Sequence, residues 1–392
     1  MLSKAYLHFL AVLLFNNRVK HTWVIFISSL LIALLASFLF VKSSLEEATK
    51  QSIESQPDFI VQKYRAGHIQ DMQNAWIDAF ARIDGVDAVK KRVYGHHYYE
   101  PLESHFMIVG LDFSDEKELQ QMKEAFPDFN LRDFLSKNNM ILGSGVKQHF
   151  DYYEYTDNYN FRPPDRSIKK VYFYGTLPKE SQLFTNDMIL MDIHLARTIL
   201  GVKSENSTDA SINIINETKF EDVKTALILS HFDMRIISKK DVFKHSENLF
   251  NYKAGVFLSL YIVCLITFAL ILFQRYTNIL HSDAKEIAIL RMSGWKISDV
   301  IYLKLSENFL VAIVSYLLGV ILAYAYVFIL NAPLIRDIFL GFQNLQNTVS
   351  FTPHGAFASL VLIFFLFVVP FMLVILIPVY KISITEPVEV LR

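Results

Sequence analysis

Thr22–Val41 reads TWVIFISSLLIALLASFLFV, twenty residues without one Asp, Glu, Lys or Arg. At about 1.5 Å of rise per residue, such a run crosses about 30 Å of hydrocarbon as a helix. Three more windows share the property: Ala254–Phe273 (AGVFLSLYIVCLITFALILF), Phe309–Leu330 and Ala356–Tyr380. All 38 Lys and Arg and all 39 Asp and Glu of the 392-residue chain lie outside these windows. The chain thus divides into a membrane part and a water-soluble part, which excludes a purely soluble enzyme and a disordered chain. A net charge of −1 excludes a strongly basic nucleic-acid binder.

Lys and Arg in the short loops set the orientation. Residues 1–21 hold Lys4, Arg18 and Lys20; loop 274–308 holds Arg275, Lys285, Arg291, Lys296 and Lys304; tail 381–392 holds Lys381 and Arg392. Loop 331–355 holds only Arg336. Both termini and loop 274–308 are therefore expected in the cytoplasm, with residues 42–253 on the far side. Residues 5–15, AYLHFLAVLLF, are apolar but too short to span and read as an interfacial helix. The predicted fold is an α-helical membrane protein with four transmembrane helices (22–41, 254–273, 309–330 and 356–380). A large α+β extracytoplasmic domain is inserted between helices 1 and 2.

The single cysteine, Cys264, falls within the second window, so no disulfide forms within the chain and the outer domain relies on its hydrophobic core. Lys42–Gln56 and Lys239–Lys253 lack Gly and Pro and read as stalk helices continuing the first two spans. Two β-α-β units are expected at about 57–103 and 204–238, the first with a helix over Ile69–Ile83. Residues 104–203 read as an inserted strand-rich subdomain.

Three features of this domain invite a chemical reading. His96, His97, Glu100, Glu103 and His105 offer metal-ligand chemistry, but their spacing fits no defined motif, and strand alternation sends His96 and His97 to opposite faces. Asp151–Phe161, DYYEYTDNYNF, reads as a loop with partly buried rings, or as a docking surface. Gly143-Ser144-Gly145 reads as a turn. No Walker A, G-x-S-x-G or H-E-x-x-H sequence occurs.

Lys285–Asn308 reads KEIAILRMSGWKISDVIYLKLSEN. Ile287, Ile289 and Leu290 form an apolar stripe flanked by Glu286 and Arg291, and Gly294 sits where a helix C-cap falls. A short amphipathic helix between two spans suits docking to a soluble partner: Glu286 pairing with a basic residue, Ile287 and Leu290 filling an apolar groove. Ser29, Ala33 and Ser37 recur every four residues in the first span, as do Ser315, Gly319 and Ala323 in the third. Such faces let helices approach closely in lipid and are expected to pack the spans against one another, so that Gly319→Leu weakens subunit assembly.

EIAILRMSGW (286–295), followed by Ser298-Asp299-Val300 and by Glu307 before a long span, resembles the FtsX/MacB-type permease signature E-I-[GA]-[IL]-[LM]-[RK]-x-x-G-[AW]. The ending Glu386–Arg392, EPVEVLR, is similar to the family's P-x-x-A-L-R close, with Val390 in place of the alanine. Gly175–Gly201 also resembles part of the family's outer domain. The resemblance implies a non-catalytic permease subunit of an ABC system in a bacterial inner membrane, like the LolC/LolE permeases, MacB and FtsX. It implies a separate ATPase, which binds ATP and docks on the coupling helix, and a second permease copy or paralogue. A periplasmic carrier or substrate protein is a further implied partner. Residues 1–21 are too few for a fused ATPase, and no cofactor is expected on the chain itself. Two readings stay open: a transport or mechanotransmission permease, and an FtsX-like regulator that moves an outside hydrolase without transport. A membrane-anchored enzyme lacks any visible catalytic constellation.

Overall fold

The computed structural model describes residues 4–16, 18–54, 56–113, 119–120, 122–123, 129–177, 185–278, 287–340, 351–353 and 356–384. Glu286, the closing motif Glu386–Arg392 and parts of the 274–308 and 331–355 loops lie outside the described residues. The chain forms two compact units: 1–45 with 249–339 and 350–392, and 46–248 with 340–349.

The first unit is helical. Lys4–Asn16 precedes a first long helix, Arg18–Glu54. A second, Lys239–Asn278, and a third, Ile297–Tyr324, follow; the third passes into a π-helical turn, Ala325–Ile329. A short helix, Ile335–Leu340, precedes the fourth, Ala356–Ile384. Four helices are long and apolar enough to cross a membrane. The first and second long helices each run unbroken from one unit into the other.

The second unit is a mixed α/β domain. Its strands are β1 (Phe59–Arg65), β2 (His68–Gln70), β3 (Met72–Gln73), β4 (Val86–Tyr99), β5 (Ser104–Leu111) and β6 (Asn139–Leu142), then β7 (Asn158–Phe161), β8 (Lys169–Thr176), β9 (Met188–Asp192), β10 (Asn206–Ser207), β11 (Asp209–Ile214) and β12 (Met234–Ser238). One sheet runs β12-β1-β11-β4-β5-β9-β6-β8-β7, with β2 folded onto β1. The long β4 belongs to both halves of it. Val86–Arg92 pairs with β11, and Val93–Tyr99 pairs with β5. One core gathers Phe59, Val61, Phe80, Ile212 and Val223; another gathers Val93, Tyr99, Phe106, Phe150 and Ile189. The strands of residues 104–203 thus continue the sheet of the flanking residues.

The sequence reading places a helix over Ile69–Ile83, whereas the structure holds β2, β3 and a helix only over Asn74–Phe80. Ala66 and Gly67 both take positive φ, 52° and 85°, and turn the chain back so that Tyr64 pairs with Ile69. Consecutive positive φ values are the signature of the tight hairpin turn that matches strand twist. The expected turn at Gly143-Ser144-Gly145 opens a helix, Ser144–Tyr152. A Cβ on Gly143 would lie 2.0 Å from the Thr185 carbonyl oxygen, so only glycine fits. The N–H groups of Gly145 and Val146 donate to the Asn186 carbonyl at 3.1 and 3.2 Å. Asp151–Phe161, expected as a loop, ends this helix and then forms β7.

Candidate coupling site

Residues 287–292 are helical. Their helix closes at Gly294, which takes φ +97° with open space where a Cβ would be. The requirement for glycine here is conformational rather than steric. The Trp295 N–H then donates to the Leu290 carbonyl at 3.2 Å, and the Ser293 N–H to that of Ile289 at 3.0 Å. The third long helix starts two residues later, where the Lys296 N–H donates to Asp299 Oδ2 at 3.2 Å.

This helix is seated on its own chain. Ile287 and Ala288 are buried, 3% and 2% exposed. Leu290 and Trp295 pack against Leu10 and Leu13 of the N-terminal helix and Leu303 of the third long helix. Tyr6 Oη donates to Ser306 Oγ at 3.2 Å and closes the same contact. Arg291 Nη1 donates to the Ser383 carbonyl at 3.2 Å. That oxygen belongs to the last turn of the fourth long helix, where carbonyls lack helical partners and a cation is favoured. The platform is therefore fixed to three helices.

Ile287 and Leu290, expected to fill a partner's groove, are buried and half-buried within the chain itself. The apolar groups facing outward are Ile289 and Met292, 58% and 61% exposed, three residues apart. The sequence stripe alone did not distinguish the inner face from the outer, because Ile289 adjoins both. Arg291, expected beside the docking face, instead caps a helix end.

The small-residue faces also meet within the chain. Ser315, Gly319 and Ala323 are buried, as are Ser29 and Ser37, while Ala33 is half-buried. A Cβ on Gly319 would lie 2.6 Å from Ile32 Cβ and 2.8 Å from the Ser29 carbonyl oxygen. The hydroxyls of Ser29, Ser37 and Ser315 are satisfied by carbonyls of their own helices at 2.9, 2.7 and 2.8 Å. At Gly319 the face expected to join subunits is thus occupied by the first long helix of the same chain.

In the α/β domain His96 and His97 do take opposite faces. The rings of His96 and His105 lie 6.2 Å apart. His97 packs on Phe161 at 4.9 Å, with Nε2 3.4 Å from Tyr159 Oη. Burial, and secondarily the charge of His105, holds the His97 imidazole below its ordinary range. Burial, then Tyr155, pushes the Tyr159 hydroxyl up to about 12. Glu100 lies in a 3-10 turn, and Glu103 ends it in left-handed conformation. Among the described residues no group of three or more His, Cys, Asp or Glu is placed to hold a metal.

Residues 258–387, which include the platform, match the family described as FtsX-like permease C-terminal. That match covers about a third of the chain. The matched residues include EIAILRMSGW, the stretch that carries the resemblance in the sequence. About half of the chain is similar to two solved structures. The periplasmic region of MacB from Actinobacillus actinomycetemcomitans aligns over 48% of this chain and 92% of its own, with 12% identity and TM-score 0.32. The extracellular domain of the noncanonic ABC-type transporter YknZ from Gram-positive bacteria aligns over 47% and 100%, with 12% identity and TM-score 0.29. No curated protein matches this chain significantly.

Sequence reasoning marked Glu307 only as part of a motif. The structure gives it two partners, His21 and Lys304. The available signal was an acid and a base three residues apart at the mouth of a charge-free window.

Proposed function

We propose that this chain is the non-catalytic permease subunit of an ABC system, coupling ATP hydrolysis on a separate ATPase to motion of its outer α/β domain. The platform of residues 287–295 carries the reading: it is braced against three helices and presents Ile289 and Met292 outward. A braced surface passes force into the bundle, where a loose loop would absorb it. The positive residues of loop 274–308 support a cytoplasmic platform and, in this reading, a chain in a bacterial inner membrane with both termini inside. Two permease subunits and two ATPases would form the working complex, with the substrate extracted or exported from the outer face.

The test is purification of the full-length chain from native membranes, with identification of every associated subunit. An ATPase whose hydrolysis rate changes on association with the chain supports the proposal; no ATPase at stoichiometric level overturns it. An accompanying cell-wall hydrolase in place of a carrier or cargo would assign the regulatory reading.

A further inference from the structure

Glu307 is 2% exposed and Lys304 5% exposed, an ion pair at 3.2 Å within one helix. Buried charges are costly even when paired, and an apolar replacement is often no less stable. Position is the use such a group best serves. Glu307 Oε1 reaches across to His21 Nε2 at 2.9 Å, on the first long helix. One turn earlier on the third helix, Leu303 packs with the platform residues Leu290 and Trp295. Farther along the same two helices, Gly319 seats Ile32. The first helix is thus held by the third at two heights, His21 and Ile32, about 16 Å apart along its axis.

Among the described residues the second long helix has other partners. Phe257 stacks on Phe38 at 3.6 Å, Phe268 lies 6.4 Å from Phe367, and Lys253 Nζ donates to the Phe339 carbonyl at 2.6 Å. None of these partners belongs to the platform. The apolar stretch of the second helix is 22% buried against 56% for the first. It also contains Gly255, a soft point, whereas Arg18–Glu54 has neither Gly nor Pro.

We propose that the Glu307–His21 contact makes the first long helix the driven one, with the second following passively. His21 and Glu307 are then positioning residues, and this assignment rests on the ATP-coupled reading above. His21 is the place to cut, because Glu307→Gln would also disturb the buried ion pair with Lys304. A hydrogen bond to a charged group is worth about tenfold or more in the population of its geometry.

Full-length protein with Cys264→Ser in lipid nanodiscs carries spin labels at Thr22 and Ile297. His21→Leu should broaden the distance distribution, and His21→Lys, which can still meet the carboxylate, should restore it. A distribution unchanged by His21→Leu at unchanged Tm overturns the clamp, whether or not an ATPase is bound. With the co-purified ATPase, a single label at Lys50 reports the first helix and one at Lys244 the second. His21→Leu should suppress the ATP-dependent signal at Lys50 about tenfold while hydrolysis continues. Gly-Gly at Ala48-Thr49 should suppress the downstream response, and Gly-Gly at Glu247-Asn248 should not; equal effects overturn the assignment of the driven helix. Wild-type protein that shows the clamp but no ATP response overturns the ATP-coupled reading and, with it, the drive, while the clamp stands.

Discussion

Gly319 of the third long helix and Ile32 of the first are in such contact that one added carbon would lie 2.6 Å from Ile32 Cβ. Real carbon contacts do not reach that distance, so Gly319→Leu must displace a helix. Overpacking of this kind costs about 1–3 kcal/mol. We expect a lower Tm of the detergent-solubilised single chain, with Gly319→Ala intermediate. Size-exclusion profiles should change only as far as unfolding does. An unaltered Tm together with lost assembly would return this face to the subunit interface.

Ile289 and Met292 face outward, while Ile287, only two residues from Ile289, is 3% exposed. Ile289→Asp and Met292→Asp should each weaken ATPase association by about tenfold to a hundredfold, as loss of an interface anchor does. The Tm of the chain alone should stay level. Ile287→Asp should instead lower Tm, because it buries a charge without a partner. Retention of the ATPase by Ile289→Asp in co-purification would remove the outward face from the coupling contact.

Arg92 holds Asp209 through two bonds of 2.8 Å across β4 and β11, with the aspartate side chain 2% exposed. Arg92→Ala leaves that carboxylate buried and unpaired, at a cost of about 3–5 kcal/mol. Denaturant unfolding of the full chain should show the loss in the α/β domain. Arg92→Met combined with Asp209→Leu should recover most of it, since the pair as a whole is nearly neutral against apolar packing. Equal damage from the double variant would assign the cost to packing.

His97 supplies a pH dependence. Burial depresses its folded-state pKa below the unfolded value of about 6.5. The folded state therefore binds fewer protons, and stability is fully present above about pH 6.5. It falls as the pH drops below that value toward the folded pKa. His97→Phe should flatten this part of the Tm–pH curve between about pH 7 and 5. An identical curve for wild type and variant would locate the titration elsewhere.

The helices were legible because absence of charge over twenty residues needs no tertiary context, and the coupling motif because it is local. What escaped depended on which face meets what. Ile287 and Ile289 are equally apolar, yet the first is 3% and the second 58% exposed, a difference that only the packing of the rest of the chain decides. Gly319 reads as a small residue for any neighbour, within the chain or beyond it. The apolar spacing of Ile69–Ile83 suits a helix, but Ala66-Gly67 redirects the chain into a hairpin before a helix is long enough to compete. Arg291 belongs to a helix cap ninety residues away, and no spacing rule reaches that far.

The shared strand β4 bears on how this architecture changes over evolutionary time. Residues 104–203 form most of one lobe, yet they are not a cassette that recombination can lift out cleanly. Their removal would strip β5 from Val93–Tyr99 and leave seven residues of β4 with a bare edge. An open edge of that length invites pairing with other chains and aggregation. Relatives that lose or shrink this lobe should therefore carry a β4 cut back toward Arg92, or a new segment laid along it. The length of one strand then becomes a record of the lobe's history.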